Sequence, residues 1–424
     1  MNAHDCAIYF ASPAFAEVCT TLYGADRLDE ARARWESVLN RFVRTFGDRS
    51  DLALFSAPGR TEIGGNHTDH NNGCVLAAAV DLDTIAVAAP NDRGVVTVAS
   101  EGFPVDSLSL DLMRPRPEEA HTSAAMIRGV AARMEQLGYA VGGFDACTSS
   151  NVLKGSGLSS SAAFEVLLVT IFDSFCNKGD MPPLLKAQIA QYAENVFFGK
   201  PCGLMDQTAC AYGGFVAIDF RDTAHPAAES VTFDFSHAGY ALVITDTKGD
   251  HANLTPAYAS IREEMNAVAA YFGKSVLREC TREQVLENAA ALREAAGDRA
   301  ILRALHFFDD NDRVGYQKAA LERGDMDEFL EYVNASGDSS WELLQNCMVP
   351  GQASQGVTLG LAVSRVVLAG EGACRVHGGG FAGTIQAFVP TAKVAAYVKA
   401  MDTLFGEGSA KVLTIRPAGA MQVA

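Results

Sequence analysis

The run "APGRTEIGGNHTDHNNG", Ala57–Gly73, decides how the rest of the chain is read. It holds one arginine, one glutamate, one aspartate, two histidines and three asparagines, with no apolar period. A chain seldom concentrates that many polar groups unless something polar docks there. "LALFSAP" leads into it and "CVLAAAVDLDTIAVAAP" leads out, and both read as strands. The run is therefore expected to be a polar connection between two strands.

The bulk numbers narrow the rest. At 424 residues the chain exceeds one ordinary core, so two domains are expected. Hydrophobic residues make up 48% and charged residues 20%, as in a globular protein. The 34 Lys+Arg against 51 Asp+Glu give a net charge of -17. That argues against nucleic-acid or anionic-membrane partners, which need clustered cations. A small anion held by backbone N–H groups stays open. The start, "MNAHDCAIYF", has neither a basic region nor a long apolar one, so no signal peptide is expected. No stretch reaches the roughly 20 apolar residues of a membrane span. Ten scattered cysteines without a CxxC pair suggest reduced thiols and a cytoplasmic location.

Residues 1–50 read as an N-terminal helical extension. Leu28, Ala31, Trp35, Leu39, Phe42 and Phe46 follow a helical period, and Gly47 is a plausible stop. "VVTVAS" is a strand, "SAAMIRGVAARMEQLG" a helix, and "GGFDACTSSNV" a strand running into a glycine loop and an apolar helix. After a soft boundary near 220–240 come the strand "YALVITDTKGD", a helical stretch from Tyr258 to Leu368, and "CRVHGGGFAGTIQAFVP" as strand–loop–strand. A helix and a closing strand follow. The pattern is mixed α/β or α+β in two unequal halves, 51–230 and 231–424.

Three loops carry chemistry. "KGSGLSSSA", Lys154–Ala162, puts two glycines before a helix N-terminus. Free N–H groups and the helix dipole there suit phosphate, and the hydroxyls at 159–161 can donate to it or ligate a metal. A serine-capped helix after a glycine turn reads the same letters equally well. It is not a Walker A loop: the one Gly-Lys-Ser, at 273–275, has Val268 where the first glycine should stand. No GxSxG elbow surrounds the serines. "HGGGFAG", His377–Gly383, is either a plain glycine hairpin or a second wall over a nucleotide. "KPCGLMDQ", Lys200–Gln207, places Asp206 on a fixed turn, as a helix cap or as a reacting group.

Together, and in this order, these segments resemble the galactokinase branch of the GHMP small-molecule kinases. That family's sugar signature reads roughly G-R-V-N-L-I-G-E-H-T-D-Y-N-G-G, against "GRTEIGGNHTDHNNG" here. "GSGLSSSA", "PCGLMDQ" and "HGGGFAGT" resemble its other three motifs. The resemblance implies an N-terminal domain like ribosomal protein S5 domain 2, a ferredoxin-like C-terminal domain, and a site between them. It implies transfer of phosphate from ATP to the anomeric hydroxyl of galactose, with Mg²⁺. Asp206 matches the proton acceptor and Arg60 the arginine beside it. Gly155, Ser156, Gly157, Leu158, Ser159, Ser160 and Ser161 match the phosphate loop, closed by Gly378, Gly379 and Gly380. Ser161 and Glu194 match the metal ligands. Asn66, His67, Asp69, Gly203 and Tyr258 match the sugar contacts. A monomer or weak homo-oligomer is expected, with the sugar and ATP as its partners.

Some letters depart from the family. Asn66 stands where a glutamate is usual, so an amide replaces a pure acceptor. Glu62, Gly64 and His70 also differ. Ala382 replaces a glycine and costs around a kcal/mol if that position needs positive φ. The asparagine leaves room for a related kinase acting on N-acetylgalactosamine, arabinose or another pyranose. A non-catalytic sugar and ATP sensor on the same fold is the reading from another class.

Overall fold

The computed structural model describes residues 1–111, 113–152, 157–249 and 254–424. Three helices come first: α1 (Ala3–Phe10), α2 (Pro13–Tyr23) and α3 (Leu28–Phe46). Then follow β1 (Ala53–Gly64), β2 (Cys74–Asn91), β3 (Val95–Ser100), β4 (Asp106–Ser109), α4 (Ser123–Gln136) and β5 (Gly143–Ser150). Next are α5 (Ser160–Cys176), α6 (Pro183–Tyr192), α7 (Met205–Tyr212), β6 (Phe215–Asp219) and β7 (Ala227–Val231). The second half has β8 (Tyr240–Asp246), α8 (Thr255–Tyr271), α9 (Arg282–Glu287), α10 (Ala289–Ala295), α11 (Asp298–Arg323), α12 (Met326–Ser339) and α13 (Gly356–Leu368). It ends with β9 (Ala373–His377), β10 (Thr384–Pro390), α14 (Val394–Phe405), β11 (Ala410–Leu413) and β12 (Met421–Gln422).

The first sheet runs β12-β1-β2-β5-β3-β4, with β6 and β7 continuing from β2. Its central strands β1, β2 and β5 are buried on both faces, because both faces are covered. Phe55, Ala57, Ala86 and Ala146 point into the core shared with α4–α7. Their alternates Leu54, Ile85, Val87 and Cys147 meet Trp35, Leu39 and Phe42 of α3. Residues 1–50 are thus the outer cover of this sheet rather than an appendage. A buried polar network pins them down. Asp83 on β2 accepts hydrogen bonds from Arg34 (2.5 Å), Tyr23 (2.7 Å) and Arg416 (3.0 Å).

The second sheet runs β11-β8-β10-β9, all antiparallel. Counted within that half the strand order is 4-1-3-2, the β-α-β-β-α-β ferredoxin-like arrangement. The division at 231 is crossed again near the end of the chain. Val80 bridges to Ile415, and β12 pairs with β1 at Phe55–Gln422. The tail hydrogen-bonds to the edge of β1 and so belongs to the first sheet.

The expected polar loop is corrected. β1 continues through Gly64, and all twelve of its residues are buried. Register shifts between Pro58 and Arg60, and between Glu62 and Gly64, bulge the strand and re-aim its side chains. The polar letters hid the strand because their charges are buried in pairs rather than alternating with an apolar face. No helix among the described residues is long and apolar enough to cross a membrane.

The second half grips the end of β1 through buried polar groups. Asp310 on α11 accepts the backbone N–H groups of Gly65 (3.1 Å) and Asn66 (2.8 Å). His306, one turn earlier, meets Asn66 O at 2.8 Å and Ser339 Oγ at 2.8 Å. His377 lies between Thr61 (3.1 Å) and Thr384 (2.9 Å). Burial lowers both histidines below the ordinary 6.5. For His377, burial and then the charges of Arg60 and Arg375 push it down to about 3. The unfolded chain takes up these protons near 6.5, while the folded chain refuses them until lower pH, about 3 for His377. The stability they contribute is complete above 6.5 and drains away as pH falls, for His377 down to about 3. The thermal midpoint should therefore hold steady near neutrality and drop below about pH 6. His377→Gln should flatten that drop. A midpoint insensitive to pH from about 7 to 4 would contradict the buried-neutral assignment.

Candidate active site

The bulges in β1 turn Arg60 toward α7. Its Nε donates to Asp206 Oδ1 at 2.7 Å, and its Nη1 donates to Gly157 O. The Arg60 N–H also reaches Leu158 O at 3.1 Å. A Cβ at Gly59 would lie 2.8 Å from that same carbonyl, so the close approach needs glycine. Asp206 stands in the first turn of α7, where the helix dipole favours an anion. Its other oxygen accepts from the Ser159 hydroxyl. Burial alone would raise the Asp206 pKa. The charge and hydrogen bond of Arg60, then Ser159, outweigh that and hold it below the usual carboxylate range. Burial likewise works against the Arg60 charge, and Asp206 more than offsets it.

Ser159 decides between the two readings of the serine loop. It sits at φ 57° and caps nothing with its side chain. Its hydroxyl goes to Asp206 instead, so the simple cap reading fails. A non-glycine residue held left-handed is strained by roughly 1 kcal/mol or more and gathers at functional sites. Gly157, Leu158 and Ser159 lead to Ser160 and Ser161 on the first turn of α5. Lys154, Gly155 and Ser156 lie outside the described residues. The second glycine loop packs directly against the first: a Cβ on Gly157 would be 3.1 Å from His377 Nδ1.

Ser161 Oγ donates to Glu194 Oε1 at 3.2 Å. Glu194 is buried in a π-helical turn, Ala193–Phe198, a rare geometry that bulges a helix near functional sites. Lys200 Nζ holds the same oxygen at 3.1 Å, and Gln207 Nε2 holds the other at 2.8 Å. Gln207 also donates to Glu165 Oε2 at 3.2 Å. Burial, and then the nearby charge of Glu194, push the Glu165 pKa well above the usual carboxylate range.

On the opposite side lie the signature residues. A Cβ on Gly203 would be 2.8 Å from Asp69 Oδ2, so the backbone at 203 abuts that carboxylate. His67, left-handed at φ 60°, meets Gly379 O through Nε2 at 2.9 Å. Burial, and then the charge of His70, push His67 down to about 4, so it is neutral at pH 7. Tyr258 donates its hydroxyl to Gly380 O at 2.8 Å and meets Phe381 edge-on at 5.2 Å. Gly379 needs its bare Cα because a Cβ there would be 2.7 Å from the Tyr258 ring. In this loop positive φ falls on Gly378, Gly380, Phe381 and Gly383, so Ala382 carries no such strain.

Asn66 requires a correction. It is fully buried, and its amide is saturated by the protein. Nδ2 donates to Glu62 Oε1 and Gly378 O, both at 2.8 Å. Oδ1 accepts from Asn346 at 2.7 Å and Ser340 at 3.3 Å. Both donors and both acceptor sites are used, leaving none for a sugar hydroxyl. Asn66 instead ties the signature to the second half.

Sequence reasoning missed Glu165, Gln207, His306, Asp310 and Arg375. Glu165 had a signal, as the sole charge between Ser159 and Asp173 in an apolar helix. Arg375 had none. It is buried on β9 and donates to Ile63 O at 2.7 Å and Glu62 Oε1 at 3.0 Å. His306 and Asp310, four apart on α11, read as an ordinary helix face.

The chain is similar to known proteins over most of its length. The galactokinase galactose-binding signature matches residues 40–90, and the GHMP kinases N terminal domain matches residues 125–214. A galactokinase of Streptomyces coelicolor is 30% identical over 380 residues, 88% of this chain and 94% of its own. One from Actinobacillus pleuropneumoniae is 32% identical over 361 residues, 84% of this chain and 89% of its own. The crystal structure of Lactococcus lactis galactokinase complexed with galactose superposes with a TM-score of 0.74 at 25% identity. That match covers 90% of this chain and 98% of the other. Identity at this level, sustained over nearly the full length of both chains, means that the protein belongs to the galactokinase family of the GHMP kinases.

Proposed function

We propose that this chain transfers the terminal phosphoryl group of ATP to the anomeric hydroxyl of galactose, giving galactose 1-phosphate and ADP. The observation that carries this reading is the Arg60–Asp206 pair at 2.7 Å, set where the serine loop and the signature strand meet. Phosphoryl transfer needs positioning and charge stabilisation more than covalent help. Asp206 accepts the hydroxyl proton. It is a weak base, so it acts late, when the forming P–O bond has acidified the hydroxyl. Ser159 and Arg60 fix its two oxygens, and the Arg60 guanidinium offsets charge on the phosphoryl oxygens. The N–H groups opening α5 face the phosphates, with Gly378–Gly380 on the other side. Asp69, His67, Gly203 and Tyr258 hold the sugar.

Ser161 and Glu194 suit Mg²⁺. Both offer hard oxygens, only 3.2 Å apart, and a positive charge, Lys200, already rests on the Glu194 carboxylate. The ion supplies charge neutralisation on ATP when bound. The dyad, the serine loop and the sugar contacts do the rest. The Asn66 amide, turned wholly inward, favours one further reading. With no side chain at 66 selecting a sugar hydroxyl, another pyranose could be the better acceptor.

A coupled ADP-release assay over a panel of monosaccharides, with NMR of the product, separates these readings. Galactose should give the highest kcat/KM, with phosphate on the anomeric oxygen. A different preferred sugar would move the assignment, and no ADP release with any sugar would end it. Asp206→Asn should bind galactose and ATP normally and lose turnover by about 10²–10⁴-fold. Undiminished turnover would remove its role. Glu194→Ala should raise the Mg²⁺ concentration needed for half-maximal rate by about tenfold or more, with the galactose KM little changed. A defect confined to galactose KM would contradict the metal assignment.

A further inference from the structure

Behind the second glycine loop, on the side away from the signature strand, a cavity of about 750 Å³ opens between α8, α11 and the segment Trp341–Gln352. It lies outside the machinery described above. Its walls are apolar and aromatic: Ala257, Trp341, Met348, Val349 and Phe381 line it. Its polar groups are two arginines, Arg299 and Arg303, with Ser260, Gln345 and Gln352, and among the described residues no acidic one lines it.

Arg303 is only 1% exposed. It donates through Nε to Leu344 O (3.1 Å) and through Nη1 to Ser260 (3.0 Å) and Glu264 (2.9 Å). Its other terminal nitrogen, Nη2, has no hydrogen-bond partner among the described residues. Glu264 is also held by Arg299, at 2.5 Å and 3.0 Å. One carboxylate therefore serves two guanidinium groups, and the cavity keeps a surplus positive charge inside a chain of net charge -17. Nη2 is accessible rather than sealed off, so it can donate to an oxyanion that enters the cavity.

We propose that this cavity is a binding site for a small organic anion, a carboxylate or phosphate ester with a flat apolar body. The charge meets Arg303 and Arg299, and the body lies against Trp341 and Phe381. The site is wired to the second glycine loop. The Phe381 N–H donates to Asn346 O, and Asn346 Nδ2 reaches both Asn66 Oδ1 (2.7 Å) and Gly379 O (3.1 Å). The same short segment thus faces the cavity with Trp341 and Met348 and the signature strand with Ser340 and Asn346. An occupant that presses on Phe381 biases the loop that closes the sugar side.

The chain has two tryptophans, and Trp35 is buried under the first sheet, so Trp341 reports on the cavity. Phenyl phosphate, benzoate and inorganic phosphate are titrated into the full chain, with galactose and a non-hydrolysable ATP analogue present at saturation. Phenyl phosphate or benzoate should change Trp341 fluorescence saturably, with inorganic phosphate weaker. Met348→Glu puts a negative charge at the half-exposed mouth without touching the arginine network. It should weaken binding by about tenfold or more and leave turnover without the probe unchanged. Arg303→Gln should abolish binding. No saturable change with either aromatic anion would overturn the proposal. So would binding equally tight in both variants. Inorganic phosphate binding as tightly as phenyl phosphate would overturn the apolar half of it.

Discussion

β1 runs buried through the middle of this molecule carrying charges that cannot stay buried alone. Breaking a buried ion pair by removing one partner costs about 3–5 kcal/mol. Arg60 and Glu62 on this strand, and the backbone of the turn after it, are each met by a group from a distant segment. Asp206 of α7 meets Arg60, Arg375 of β9 meets Glu62, and Asp310 of α11 meets the backbone after Gly64. Meeting these charges gathers residues near 60, 160, 200 and 380 into one place. The fold and the site are two consequences of the same requirement.

That requirement also explains what could be read in advance. Helices with a one-sided apolar stripe were legible, as with α3 and its stop at Gly47, because packing against a sheet writes a period into the letters. The strand–loop–strand at 373–390 was legible from glycines between apolar runs. β1 beyond Pro58 was not, since a strand whose polar side chains are buried in pairs shows no alternation. The outer role of residues 1–50 escaped for a related reason. A sheet covered on both faces reads as a continuous apolar run, which does not say what lies on each face.

The candidate site was legible to a different depth. Asp206, Arg60, Ser161 and Glu194 stand out through their match to the family's motifs. Their supports do not, because Gln207, Glu165 and Arg375 act only through partners far away in the chain. Asn66 shows the converse. Its place in the signature suggests a ligand contact, yet its hydrogen-bonding capacity is spent inside the protein. Backbone strain recurs in the loops of the candidate site, where Ser159, His67 and Phe381 are all held at positive φ.

The central claim is that Arg60 and Asp206 act as one unit. A double-mutant cycle with Arg60→Met and Asp206→Asn, read as sugar-dependent kcat, tests it directly. The account predicts strong non-additivity, with the double variant little slower than the worse single one. Losses that multiply independently, with both single variants fully folded, would contradict it.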